Sequence, residues 1–197
     1  GLVSISLESG DELVAAGLAK EQEEIILLSE KGQSIRFATD KLRAASRTSR
    51  GVRGIRLSPG DGVVGMVVIY PNACLLTVTS KGFGKLSPIS AYSVQRRGGK
   101  GIQTHKVGDK VGKVVAAKLT SPSEELMIIS KEGVIIRLPL EKVRIQRRNT
   151  QGVSLMRLEP DNEVVSIACL RVKGEDKPSQ REKVSKSKTN GVRRQSG

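Results

Sequence analysis

The sequence predicts an all-β protein, a propeller-like array of four-stranded blades of about 50 residues each. Three observations predict it. The chain repeats itself with spacings of 50 and 51 residues, seen in the glycines Gly32, Gly82 and Gly133. Each period holds four short runs rich in Val, Ile and Leu, bounded by Gly, Asp, Ser or Pro, which is how strands read. Long helical periodicity is missing, and only a turn or so near 40–45 and 139–144 suits a helix.

In the first period the strand-like runs are ELVAAGL (12–18), EIILLS (24–29), SIRFA (34–38) and VRGIRL (52–57). The central pair recurs: EIILLSEKGQSIRF, CLLTVTSKGFGKLS and ELMIISKEGVIIRL each give an apolar run, a polar turn with glycine and a second run. The flanking segments recur as well. RTSRGVRGIRLSPGDGVVG from Arg47 aligns without a gap to RNTQGVSLMRLEPDNEVVS from Arg148, and the opening GLVSISLESGDELVA aligns with Gly51 onward. Radial repetition of such units protects sheet edges that a ladder of separate hairpins would leave open. About three periods are present, fewer than the typical four to eight blades of a closed ring, so the sequence reads as part of a longer chain. The blades are assigned to residues 1–172. From 173 to 197 the apolar pattern gives way to Lys, Arg, Ser and Gln, which predicts a disordered basic tail.

Charge narrows the function. Lys and Arg number 34 against 20 Asp and Glu, a formal charge of +14 on 197 residues, and this favours a polyanionic partner. The excess is localised. Residues 36–56 hold seven cations and one acid, 81–118 hold nine and one, and 131–157 hold seven and two, whereas 1–35 hold two cations and seven acids. Repeats place equivalent residues at equivalent points, so three basic windows in phase predict one basic stripe. No apolar run reaches the roughly 20 residues of a membrane span. Cys74 and Cys169, far apart in apolar runs, read as reduced core thiols rather than a metal or redox pair.

The densest basic segment is QRRGGKG, 95–101, with three cations and three glycines in seven residues. Like charges so close repel, and an anion offsets that cost; the alternative is a solvated turn. Arg97 and Gly101 fall on Arg47 and Gly51 at offset 50, so the segment occupies the same loop in the middle repeat. Duplex backbone is the expected polyanion, because a recognition helix is missing and aromatics for base stacking are few. The expected DNA-binding residues are Gln95, Arg96, Arg97, Gly98, Gly99, Lys100 and Gly101, with Arg47, Arg50, Arg53, Lys106, Arg147 and Arg148. Catalytic residues are not expected. GGKG lacks the upstream glycine of a P-loop, and His105, the one histidine, has no nucleophile or metal ligand at a recognised spacing. His105 aligns with Ile55 and Met156 and reads as a strand residue at the edge of the core, while Tyr92 reads as a packing residue with its hydroxyl at the surface.

QRRGGKG is identical to the signature heptapeptide, the GyrA-box, of the C-terminal domain of DNA gyrase A, and GVRGIRLSPGDGVVGM and RRNTQGVSLMRLEPDNEVVSIA are similar to later repeats of that family. The resemblance covers roughly residues 1–172. It implies a β-pinwheel that binds and wraps duplex DNA, supporting ATP-dependent negative supercoiling by a bacterial type II topoisomerase. It further implies a cytoplasmic, nucleoid-associated protein whose partners are duplex DNA, the rest of gyrase A, and gyrase B. Under it the fragment is not an enzyme and takes no cofactor, since the family's active-site tyrosine and its use of ATP and Mg lie in other regions. In the family the box lies in the first blade, whereas here about one and a half repeats follow it, the position of a later-blade copy. Two other readings remain open: the related domain of topoisomerase IV, and a propeller-type scaffold for an acidic protein.

Overall fold

The computed structural model describes residues 4–46, 49–121 and 123–171, with Arg171 described by its backbone alone. Among the described residues every regular element is a strand or a three-residue 3-10 turn. Three hairpins form the frame: β1 (Glu24–Ser29) with β2 (Gln33–Ala38), β4 (Cys74–Thr79) with β5 (Phe83–Pro88), and β8 (Glu124–Ser130) with β9 (Ile135–Pro139). Their turns contain Gly32, Gly82 and Gly133, the glycines that marked the repeat. A third strand pairs with the first strand of each hairpin: β3 (Val63–Val68), β7 (Val114–Thr120) and β11 (Val164–Arg171).

The fourth strand is borrowed. The two-residue β6 (Ile102–Gln103) belongs to the second repeat but pairs with β2, and β10 (Val153–Ser154) belongs to the third but pairs with β5. The sheets therefore run β3-β1-β2-β6, β10-β5-β4-β7 and β11-β8-β9. This exchange corrects two sequence expectations. ELVAAGL and VRGIRL are not strands, although they are the equivalents of β3 and β6. Such segments pair backward onto the hairpin of the preceding repeat, and the described residues hold no hairpin ahead of β1. The turns expected near 40–45 and 139–144 are the 3-10 segments Thr39–Lys41 and Leu140–Lys142; a third, Ile89–Ala91, fills the same place in the middle blade. The tail from 173 onward lies outside the described residues.

Much of the core lies between blades, while Ile25, Ile35, Phe37 and Ile55 form a separate cluster on the first sheet. Ile26 and Leu28 of the first pack with Leu75, Ile89 and Tyr92 of the second. Leu76, Val78 and Leu86 pack in turn with Leu126, Ile128, Leu140 and Met156 of the third. Burial follows position. The middle strand β4 is buried at all six residues, whereas β9, with no described blade beyond it, is half-buried or exposed throughout. Fully burying one such Leu or Val contributes about 2 kcal/mol, so the inter-blade seams carry much of the stability. Backbone bonds lock the same seams: Val114 N–H donates to the Glu30 carbonyl at 2.9 Å, and Val164 N–H to that of Ser80 at 2.8 Å. Cys74 is buried and Cys169 half-buried, and both are free thiols.

Candidate nucleic-acid interface

Two basic loops, QRRGGKG (95–101) and QRRNTQG (146–152), lead into the exchanged strands β6 and β10, and each lies across the blade before it. Their frames match bond for bond. Gln95 N–H donates to the Arg36 carbonyl (2.7 Å) as Gln146 N–H donates to that of Leu86 (2.8 Å). The Gly99 carbonyl accepts from Arg56 N–H (2.8 Å) as the Thr150 carbonyl accepts from Lys106 N–H (3.0 Å). The second arginine of each pair turns inward: Arg97 Nη1 donates to the Arg53 carbonyl at 2.6 Å, and Arg148 Nη1 to that of Gln103 at 2.9 Å. Each loop closes on a glycine with positive φ, +75° at Gly101 and +76° at Gly152. A methyl group on Gly101 would stand 2.2 Å from the Ser34 carbonyl oxygen, and one on Gly152 2.5 Å from that of Gly84, so both positions exclude a side chain.

Beneath the frame the loops differ. Under QRRGGKG lies Ile35, and the loop bends on Gly98 (φ +82°), whose N–H donates to the Gly54 carbonyl at 2.7 Å. Under QRRNTQG the equivalent position is Lys85, fully buried. Its ammonium donates to the carbonyls of Arg147 (2.8 Å) and Arg148 and to Thr150 Oγ1 (3.0 Å). Burial, with Arg148 adding to it, pulls the Lys85 pKa down to about 8. His105 completes this underside. It is fully buried just after β6 rather than a strand residue at the edge of the core, with Nδ1 2.9 Å from Thr77 Oγ1 and Nε2 3.0 Å from the Gln151 carbonyl. Burial, reinforced by Lys85, lowers its pKa to about 4, so it is neutral, with Nε2–H donating and Nδ1 accepting. Tyr92 is 2% exposed with its hydroxyl buried, not at the surface, and its ring lies 6.0 Å from the Arg148 guanidinium.

Of the sequence-derived site residues, Arg50, Arg53, Arg96, Lys100, Lys106 and Arg147 are exposed. Gln95, Arg97, Gly98, Gly99, Gly101 and Arg148 are half-buried in the loop frames, and Arg47 lies outside the described residues. Frame bonds bring Arg53, Arg56, Arg96 and Lys100 together in one cluster and Lys106 and Arg147 in a second, with the segment from Gly101 to Lys106 joining them. Arg50 faces Glu8 at 3.7 Å, a fully solvated pair of little energetic weight. The other five exposed cations carry no ion pair among the described residues. Sequence reasoning passed over Arg56, Arg144 and Arg157, also exposed; Arg56 and Arg157 are the repeat equivalents of Lys106, and that offset was the available signal. Other members of the basic windows work internally. Arg36 bonds Glu24 and the carbonyls of Ile89 (3.0 Å) and Tyr92 (2.7 Å), and Arg137 pairs with Glu125. Among the described residues no group of three or more His, Cys, Asp or Glu could hold a metal ion.

A family described as the DNA gyrase C-terminal domain, a β-propeller, matches residues 23–69, 75–121 and 124–171. The chain belongs to this family. Each matched segment holds one hairpin and the third strand paired with it, while β6 and β10 fall in the segment after the one whose sheet they complete. It is similar to the DNA gyrase A protein of Dehalogenimonas lykanthroporepellens, 42% identical over 86% of this chain and 22% of that protein. The DNA gyrase A protein of Staphylococcus aureus is 39% identical over 92% of this chain and 21% of its own length. The chain thus spans about a fifth of the curated relatives it matches. A solved DNA gyrase A C-terminal domain superposes with a TM-score of 0.81 at 30% identity, covering 86% of this chain and 58% of that one. The C-terminal domain of DNA topoisomerase IV superposes with a TM-score of 0.80 at 18% identity, covering 85% and 53%, and shares the fold.

Proposed function

We propose that this chain is a non-catalytic module that binds and wraps duplex DNA as the C-terminal part of a gyrase A protein. The observation that carries the reading is the pair of matched loops, each presenting an exposed arginine, Arg96 or Arg147, beside further exposed cations that no acidic side chain among the described residues neutralises. Phosphates are the partners such a surface lacks. Arg53, Arg56, Arg96, Lys100, Lys106 and Arg147 contact the backbone, while Gln95, Arg97, Arg148 and the glycines hold the loops that carry them. Contacts on successive blades favour a curved duplex, and the elastic cost, about 1–6 kcal/mol for a bend of 40–90°, is met by the added phosphate contacts.

In the holoenzyme the module serves ATP-dependent negative supercoiling in the cytoplasm together with the rest of gyrase A and with gyrase B. It needs no cofactor of its own; ATP and Mg act through other regions. The identity of QRRGGKG with the family heptapeptide favours gyrase over topoisomerase IV. The test measures duplex binding by this chain across salt concentrations, with closed circular DNA relaxed in its presence. Log affinity falling linearly with log salt, near 0.9 per phosphate neutralised, and a shift in topoisomer distribution are expected. A flat salt response, or retention of an acidic protein at salt that strips DNA, overturns it.

A further inference from the structure

We propose that Lys85 is a positioning residue of the DNA interface, a buried ammonium that fixes the backbone of the QRRNTQG loop so that Arg147 is presented to phosphate. The inference rests on the DNA-binding reading above and assigns that loop an anchor which the QRRGGKG loop does not have. The geometry is the argument. Three acceptors, the carbonyls of Arg147 and Arg148 and the hydroxyl of Thr150, converge on one ammonium, which has three N–H groups to give. The ammonium is thereby satisfied without a carboxylate from the described residues, and its charge stays uncompensated by them beneath the loop. An unpaired buried cation costs stability, and the equivalent strand positions in the sister blades carry Ile35 and Ile136, so the fold does not require a lysine there.

The loop does need something there. In the first blade Gly98 bends the chain so that its own N–H reaches Gly54. Asn149 stands at the equivalent place, without positive φ and without that bond among the described residues. Lys85 supplies from below what glycine supplies from within. It holds the carbonyls of two successive peptides, Arg147–Arg148 and Arg148–Asn149, and Arg148, tied to the Gln103 carbonyl, points inward and leaves Arg147 as the outward-facing cation. Lys85 also adds positive potential directly under the place a phosphate takes.

The test is a double-mutant cycle on the full chain. Lys85→Ile installs the residue of the sister blades, so cooperative unfolding is expected to persist. Arg147→Ala in the parent should weaken duplex binding roughly tenfold, and Lys85→Ile by a similar factor. The double variant should be no more than about twofold weaker than either single, because an arginine on an unfixed loop has little left to lose. Independent, multiplying effects, or unchanged binding by Lys85→Ile, overturn the proposal. Nuclear magnetic resonance of the parent gives a second readout that does not depend on any variant folding. The Lys85 ammonium should give a slowly exchanging signal coupled to the Arg147 and Arg148 carbonyl carbons, and a freely exchanging, uncoupled ammonium overturns the assignment. If the parent itself shows no salt-dependent binding, the DNA reading falls and the positioning role with it; if the parent binds and the cycle is additive, only the role of Lys85 falls.

Discussion

QRRGGKG and QRRNTQG hang on the same backbone frame, yet one is built from glycine and the other from a buried lysine. The first bends at Gly98 over an apolar Ile35; the second keeps a negative φ at the equivalent Asn149 and rests on Lys85 and His105. The difference teaches that a loop's charge and its support are separate properties. QRRGGKG has the denser sequence signature, while QRRNTQG has more side-chain anchors, and both present one arginine outward and turn the next inward.

The largest expected effects test what the loops share. Gly101→Ala and Gly152→Ala should each destabilise by about 3 kcal/mol, combining a positive φ that alanine resists with a methyl group pressed against a neighbouring carbonyl. Denaturant melts check this, and a large inequality between the two would break the frame's equivalence. Next comes acid, which should separate the loops. His105 has a folded pKa near 4, below the unfolded value near 6.5, so the unfolded chain takes up a proton that the fold refuses. The stability it contributes is complete above about pH 6.5 and is lost as pH falls towards 4, by up to roughly 3 kcal/mol. His105→Met, matching Met156, should flatten that pH dependence in melts between pH 4 and 7, and an unchanged acid slope would refute it.

Smaller effects concern the charges. Replacing Arg96 and Lys100 by Ala should reduce the salt slope of duplex binding by up to about 1.8, with stability nearly unchanged. Arg97→Ala should instead cost about 1 kcal/mol of stability through the lost Arg53 carbonyl bond, with little change in slope. If Arg97 moves the slope as far as Arg96 does, the inward and outward roles are wrongly divided. The smallest contrast lies within one dipeptide. Gly98→Ala should cost about 1 kcal/mol for its positive φ, whereas Gly99→Ala should be close to neutral, since a methyl there meets only ordinary contacts at 3.5 Å and beyond.

Much of this was legible in the residues. The period appeared because each blade needs a glycine at its hairpin turn and apolar runs on either side, and the basic windows appeared because repeats keep charges in phase. Individual roles were less legible. Lys85 counts as one more cation in the richest basic window, and nothing next to it in sequence says that the carbonyls of Arg147 and Arg148, 62 and 63 positions away, will close over it. His105 occupies the register of Ile55 and Met156, which correctly pointed to the core, but its partners Thr77 and Gln151 come from two other segments. The two-residue strands β6 and β10 are too short to stand out by alternation, and the hairpins they join belong to the preceding repeat.

The sequence by itself determined the all-β class, the number and spacing of the repeated hairpins and the excess of cations around the loops, because each follows from local periodicity or simple counting. Only the tertiary structure decided which blade each strand completes, which cation of each arginine pair faces outward and which lysine lies beneath a loop. Those outcomes depend on contacts between segments far apart in sequence, 44 residues for Arg97 with Arg53 and 63 for Lys85 with Arg148, whose energies come from burial and hydrogen bonding that no local pattern records.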